Sequence, residues 1–335
     1  MMAEASVLMR RDGRIGRIVL NRPKALNALD LEMIRTLRGA LEDWRAEPGP
    51  HAVVIEGAGG RAFCAGGDVR AIRQHALAGE TEPIETFFAE EYALNLAIAE
   101  YPKPYVALVD GICMGGGIGV SVHGRYRVAT EAAVFAMPET AIAMLPDVGA
   151  TYFLPRLPGY LGMYLALTGT RLQGGDAVHA GLATHYVARD RLEALSTALA
   201  RDGVAALAGF AEPPPPFSLA DQRSAIDHCF GAGSVPEILA RLQADGSDWA
   251  KSALATLREM SPSAVLWSHT IVTAGASRSL AQCLEAELAL TRHVTRHADF
   301  AEGVRAMVVD KDRQPRWQPA RIEDVPPERV ASMFA

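Results

Sequence analysis

Residues 105–120 read Tyr105-Val-Ala-Leu-Val-Asp-Gly-Ile-Cys-Met-Gly115-Gly-Gly-Ile-Gly-Val120, and residues 135–149 read Phe135-Ala-Met-Pro-Glu139-Thr-Ala-Ile-Ala-Met-Leu-Pro-Asp147-Val-Gly149. Residues 105–109 are apolar, with β-branched and aromatic members, and are bounded by Pro104 and Gly111. That is the pattern of a buried strand. Gly115, Gly116 and Gly117 follow, then Ile118, Val120 and Val122 at a spacing that continues as a buried helix. Strand, glycine turn and helix in that order leave bare backbone N–H groups at a helix start, where they meet negative charge unobstructed. Glu139 and Asp147 stand eight residues apart in an otherwise apolar segment. Acids in such a setting are seldom merely solvated surface.

Working outward, residues 15–20 and 52–55 are further strand candidates. Between them Asp30 can cap a helix whose apolar positions are Leu31, Ile34, Leu37, Leu41 and Trp44. After the second strand, Gly57-Ala-Gly59-Gly-Arg-Ala62 imitates a dinucleotide fingerprint. A nicotinamide site would need a helix directly afterwards, then a strand ending in an acid about 20 residues on. The chain instead makes a second glycine turn, Ala65-Gly66-Gly67-Asp68, and reads as a loop around Glu80 and Glu82. Residues 85–99 look helical; Glu90 and Glu91 fall inside that helix and read, on pattern alone, as solvated surface.

Downstream, helices fit residues 161–172 and 177–180, and a last short strand is expected before Val187. From Arg191 onward the pattern is helical only, with a four-proline linker at 213–216, a helix opened by Ser261-Pro262, and another over 283–294. The expected division is a core over residues 1–200 and a mainly helical region over 201–335.

Hydrophobic residues make up 49% and charged residues 21%, ordinary for a globular chain, and the net charge is −6. Such a balance argues against nucleic acid and against an anionic membrane as partner. No window approaches the roughly 18 apolar residues of a membrane span, and residues 1–11 lack the apolar core of a signal peptide. Cys64, Cys113, Cys229 and Cys283 are scattered, with no metal-ligand spacing. They read as buried packing residues in a reducing, cytoplasmic compartment.

Two glycine turns at strand ends can act together. Converging backbone N–H groups can hold an oxyanion, a contribution of about 3–4 kcal/mol per donor. Close packing of two tight turns would account for the same glycines. The acids favour chemistry, because an oxyanion hole needs a partner that attacks the carbonyl or moves a proton. There is no GxSxG elbow for a serine nucleophile. Glu139, beside Pro138, is the candidate base or nucleophile, and Asp147 the second polar group of the region.

Asn21-Arg-Pro-Lys-Ala-Leu-Asn-Ala-Leu29, Phe63-Cys-Ala-Gly-Gly-Asp68 and the glycine triplet resemble the crotonase, or enoyl-CoA hydratase/isomerase, superfamily. Phe88-Ala-Glu-Glu-Tyr92, Ser121-Val-His-Gly124, the 135–149 segment, Tyr152-Phe-Leu-Pro-Arg-Leu-Pro-Gly159 and Asp299-Phe-Ala-Glu-Gly-Val-Arg-Ala306 resemble its thioester-hydrolase branch. The resemblance implies an α/β fold, a spiral of repeated ββα units followed by a helical C-terminal region. It implies hydrolysis of a short branched 3-hydroxyacyl-CoA such as 3-hydroxyisobutyryl-CoA, a step of valine breakdown. No metal and no cofactor beyond the coenzyme A of the substrate would take part; a homo-oligomer is compatible.

Carried over by position, the resemblance makes the N–H groups of Gly67 and Gly116 the oxyanion donors and Glu139 the catalytic acid. Asp147 and Glu91 would line the acyl pocket. Lys24, Ala25 and Leu26 would meet coenzyme A, with Ala65 and Asp68 as flanking substrate positions. One departure is informative. Hydratases that resemble this chain carry a second glutamate where Gly119 stands here, and a water held between two carboxylates is what hydration uses. Its absence leaves isomerase and hydrolase open, and the Pro-Asp-Val-Gly segment favours the hydrolase.

Overall fold

The structure is a computed structural model that describes residues 5–335; the first four residues of the N-terminal stretch discussed above lie outside it. A six-stranded sheet has the order β1-β2-β3-β5-β7-β10. Its members are β1 (Val7–Asp12), β2 (Ile15–Leu20), β3 (Ala52–Gly57), β5 (Tyr105–Val109), β7 (Tyr126–Ala129) and β10 (His185–Tyr186). Apart from the antiparallel edge strand β1, neighbours run parallel. A second sheet of four short strands has the order β4-β6-β8-β9: β4 (Ala62–Cys64), β6 (Ile112–Met114), β8 (Val134–Ala136) and β9 (Leu172–Gln173).

The pairs β3–β4, β5–β6 and β7–β8 are successive turns of one repeat, each placing its first strand in the large sheet and its second in the small one. This is the expected ββα spiral. Parallel strands covered on both faces read as unbroken apolar runs. That is why β5 is buried at every residue and why Ile15, Val54, Val106, Leu108 and Val128 share a core with Leu195 and Leu199. Arg17, only 3% exposed in β2, is matched by Asp12 at 2.7 Å and Glu56 at 3.1 Å.

Cα proximity divides the chain into two compact units. The first takes in residues up to Gly67, Glu90–Ala136 and Arg171–Ser218; the second is Asp68–Ala89, Met137–Thr170 and Leu219–Ala335. The first holds both sheets. The second is helical, and beyond β10 the chain forms no further named strand among the described residues. A linear boundary at residue 200 follows element content, whereas these units follow packing, and each gathers three separate stretches.

Several helix ends are legible chemistry. Asp30 caps α1 (Leu31–Ala46) by accepting from the Met33 N–H at 2.9 Å. Ser261 caps the helix Pro262–Gly275, with its proline in the first turn. Two expectations are corrected. The helix containing Glu90 and Glu91 is α3 (Thr81–Ala99), so Glu82 lies in its first turn rather than in a loop; Pro83 is tolerated there because first-turn N–H groups need no helical acceptor. The helix expected over 161–172 is Leu161–Thr168. Gly169 closes it in the left-handed region, and Leu172 already belongs to β9.

Candidate active site

In the first unit, β4 and β6 pair in parallel with Cys64 opposite Cys113. Three residues past each cysteine stands a glycine, Gly67 and Gly116. Gly116 is the first residue of α4 (Gly116–Val122), so its N–H has no acceptor within the helix. Gly67 is bridged to Leu29, whose N–H donates to the Gly66 carbonyl at 2.8 Å, and Gly66 turns the chain at φ 111. The turns meet: a Cβ on Gly66 would lie 3.7 Å from the Gly116 nitrogen, and one on Gly116 would lie 3.2 Å from the Gly67 nitrogen. Among the described residues neither amide has a backbone acceptor.

A Cβ on Gly116 would also fall 2.4 Å from Glu91 Oε1, so the space beside both amides exists only because that residue has no side chain. Gly117 differs, since its Cβ would land 2.2 Å from the Cys64 carbonyl oxygen. Adjacent glycines of the triplet thus serve differently: a side chain at Gly116 would crowd the Gly67 amide and the Glu91 carboxyl, one at Gly117 the Cys64 backbone. Glu91 is 2% exposed, whereas its neighbour Glu90 pairs with Arg35 at 2.7 Å on the surface. The solvated reading fits Glu90 and fails for Glu91.

The turn carrying Lys24, Ala25 and Leu26 is one 3₁₀ turn, Pro23–Ala25, closed by Leu26 and Asn27 at positive φ. Asn27 is fully buried and fastens it, donating to the carbonyls of Ala58 at 3.0 Å and Ala62 at 2.9 Å and accepting from the Arg22 N–H. Lys24 and Ala25 face solvent. The Ala65 N–H donates to the Leu26 carbonyl at 3.0 Å, so the exposed turn is bonded directly to the strand end that leads into Gly67.

The second unit carries Glu139 and Asp147. Glu139 opens a 3₁₀ turn, Glu139–Ile142, behind Pro138 and is 7% exposed. The chain reverses at Ala143, φ 53, and the Met144 N–H returns to the Glu139 carbonyl at 2.9 Å. Thr140 anchors the turn from below, its hydroxyl donating to the Leu167 carbonyl at 3.2 Å. Asp147 is 6% exposed and is followed by Val148 at φ 53 and Gly149 at φ 84. A β-branched residue in the left-handed region is an outlier that surrounding structure must hold in place. Asp68 also belongs to this unit, where it caps α2 (Val69–Ala78) by accepting from the Ala71 N–H. That is a folding role alongside the substrate contact expected of it.

A carboxylate that pattern reading missed completes this region. Glu287, on the helix Leu280–Val294, is fully buried. It accepts from the N–H of Gly149 at 2.7 Å, the N–H of Thr151 at 2.9 Å and the Thr151 hydroxyl at 2.6 Å. Burial pushes its carboxyl up to about 8, with the charge of Asp147 adding to the rise and the three donors opposing it. Its only sequence signal was an acid on the apolar face of a helix, with Leu284, Leu290 and Thr291.

The cysteines are packing residues, as expected. All four are free and buried, and burial pushes the Cys64 thiol up to about 12 and the Cys113 thiol further. Thiols so raised are not thiolate nucleophiles. Among the described residues no three His, Cys, Asp or Glu side chains gather as metal ligands, and no helix is long and apolar enough to cross a membrane.

Residues 15–334 match the family described as enoyl-CoA hydratase/isomerase. The mitochondrial 3-hydroxyisobutyryl-CoA hydrolase of Xenopus tropicalis is 45% identical over 99% of this chain and 89% of its own length. The human protein of the same name is 44% identical over 99% of this chain and 89% of its own. Among solved structures, a carnitinyl-CoA dehydratase from Mycobacterium thermoresistibile superposes with TM-score 0.95 at 41% identity, covering 99% of this chain and 97% of that one. An enoyl-CoA hydratase from Rhodobacter sphaeroides 2.4.1 has TM-score 0.93 at 41% identity with the same coverage.

Proposed function

The chain belongs to the enoyl-CoA hydratase/isomerase family, and from that premise we propose that it hydrolyses 3-hydroxyisobutyryl-CoA to 3-hydroxyisobutyrate and free coenzyme A, as valine breakdown requires. The reading is supported by full-length relatives that bear the name of this activity. The observation in the chain itself that carries it is one intact feature beside one emptied position. The paired amides of Gly67 and Gly116 have no backbone acceptor among the described residues, while the second acid used for hydration is replaced by Gly119, buried in α4.

In this mechanism the two amides donate to the thioester oxygen and stabilise the negative charge that gathers there as the carbonyl carbon becomes tetrahedral. Glu139 supplies the other half of the reaction. As a nucleophile its carboxylate attacks the carbonyl carbon, the C–S bond breaks, and the departing thiolate takes up a proton. Water then opens the mixed anhydride, releasing the hydroxy acid and restoring the carboxylate. As a general base it instead removes a proton from the water that attacks directly. A single acid is poorly equipped to hold a water, which favours the nucleophilic route. Asp147 receives the 3-hydroxyl of the acyl chain, a charged hydrogen bond worth about 1.5–3 kcal/mol. Glu91 lines the acyl pocket, Lys24 pairs with a phosphate of coenzyme A, and Ala25, Leu26 and Ala65 form the bed of the cofactor moiety. Water is the only co-reactant. Four reduced thiols suit a reducing compartment, the cytoplasm in this proposal; the relatives named above are mitochondrial.

The solved structures named as a hydratase and a dehydratase supply the second reading, addition or removal of water at an enoyl-CoA. Fold likeness alone does not choose the reaction. Thiol release from 3-hydroxyisobutyryl-CoA, followed beside the loss of enoyl absorbance from a short enoyl-CoA, separates the two. Rapid thiol release with little hydration is the expected result, and the reverse would overturn the hydrolase.

A further inference from the structure

Gly149 is the N-cap of the short helix Ala150–Phe153 and has no side chain with which to cap it. The cap comes from elsewhere in the chain. Glu287 reaches in from a helix 138 residues away in sequence and takes the Gly149 N–H on Oε2, with the Thr151 N–H and hydroxyl both on Oε1. A buried carboxyl is costly unless its hydrogen bonds are fully made, and at φ 84 position 149 favours glycine over a serine or aspartate that could cap from its own side chain. Two neighbouring facts say what the distant cap achieves. It fastens Gly149, the residue directly after Val148; Val148 sits at φ 53 and itself directly follows Asp147. A strained valine persists where its surroundings over-determine it. On its C-terminal side the clamp on Gly149 does so together with the Ala150 N–H, which donates to the Asp147 carbonyl at 2.8 Å.

We propose that Glu287 is a positioning residue that, through Gly149 and Thr151, holds the Asp147–Val148 turn in the pose that selects for a 3-hydroxyl group on the substrate. The inference rests on the reading that Asp147 receives that hydroxyl. Released from the clamp, Val148 relaxes toward negative φ and carries Asp147 with it. Glutamine cannot replace the acid. Whichever way its amide turns, the NH₂ group faces a backbone N–H, of Gly149 or of Thr151, and one bond becomes a donor–donor contact. A carboxyl oxygen, with or without its proton, keeps a lone pair for the amide it faces.

The experiment measures kcat/KM by thiol release on 3-hydroxyisobutyryl-CoA and on isobutyryl-CoA, the same thioester without the hydroxyl, for the full chain and four variants. Asp147→Ala is expected to collapse the ratio of the two. Glu287→Gln is expected to lower that ratio by about tenfold or more, and the double variant to have the ratio of Asp147→Ala alone, since the two act through one contact. Thr151→Val, which removes only the hydroxyl, is expected to lower it about threefold. A merely structural role for Glu287 would reduce both activities alike and leave the ratio standing. That outcome, with Asp147→Ala still collapsing the ratio, overturns the inference and spares the role of Asp147. An unchanged ratio in Asp147→Ala overturns both. Should Glu287→Gln not fold, Thr151→Val decides, and a wild-type ratio there overturns the inference.

Discussion

The proposed reaction draws on two opposite materials. In the first unit the groups it uses are main-chain amides at strand ends, neutral at every pH and presented by leaving side chains out. In the second they are buried carboxyls on a stretch that turns at positive φ at Ala143, Val148 and Gly149 and donates hydrogen bonds to Glu287 on a distant helix. Donors made of backbone survive every substitution except proline and can otherwise only be obstructed. Acids can be deleted one atom at a time, and their charge is open to titration. The contrast predicts different failures: loss of access in the first unit, loss of charge or pose in the second.

Glu139→Gln tests the contrast most severely. It preserves shape and removes the nucleophile or base, so kcat should fall roughly a thousandfold or more while acyl-CoA still binds. A single turnover in heavy-oxygen water refines the result. Label in the Glu139 carboxylate requires an anhydride opened at the glutamyl carbonyl, and near wild-type turnover of the variant would remove Glu139 from the chemistry. Gly116→Ala comes next. The added methyl lies over the Gly67 amide and against Glu91, so kcat should drop by about a hundredfold or more with the fold retained by circular dichroism. Gly117→Ala should do the reverse, costing stability through its clash with the Cys64 carbonyl. If the two variants behave alike, access and packing are not separable at this turn.

The titration prediction is smaller. Folding raises the Glu287 carboxyl from its usual 4.5 to about 8. The folded state therefore holds a proton that the unfolded chain releases between those values. That stability is fully present below about 4.5 and is lost as pH rises through about 8. Between about pH 5 and about pH 9, the Tm of the wild type should fall by several degrees relative to Glu287→Gln, which has no proton to lose. Parallel Tm profiles would mean that the carboxyl is not raised. The smallest effect concerns Asp68. Asp68→Ala should cost ~1 kcal/mol in denaturant unfolding and Asp68→Asn much less, because asparagine also caps. Equal losses of activity in both variants at unchanged stability would favour its substrate role instead.

Much of the first unit was open to pattern reading because its signals are local. An apolar run, a glycine triplet and an aspartate before an amphipathic helix each declare themselves within ten residues or so, and β5, α4 and α1 stand where those signals put them. The three-residue strands of the small sheet were not visible, since β4, β6 and β8 are too short for periodicity to register. The helix over 161–168 was overextended because Leu172 keeps the apolar spacing after Gly169 has already turned the chain. Glu91 needed the family resemblance, as an acid on a helix looks solvated until its neighbours are known. Glu287 lay beyond both routes. Its partners are 136 and 138 residues away, and nothing within its own helix calls for a carboxyl.

The small sheet has one more consequence, a metric one. Gly67 and Gly116 follow paired residues of adjacent parallel strands by the same count of three. Neighbouring strands lie about 4.8 Å apart. Two amides at about that spacing are within reach of one oxygen, because two hydrogen bonds of about 2.9 Å together span about 5.8 Å. The sheet thus serves as a ruler whose division is set by interstrand hydrogen bonding. Side chains can drift widely around it without changing that spacing, and in the proposed reaction the spacing sets how a thioester carbonyl is held.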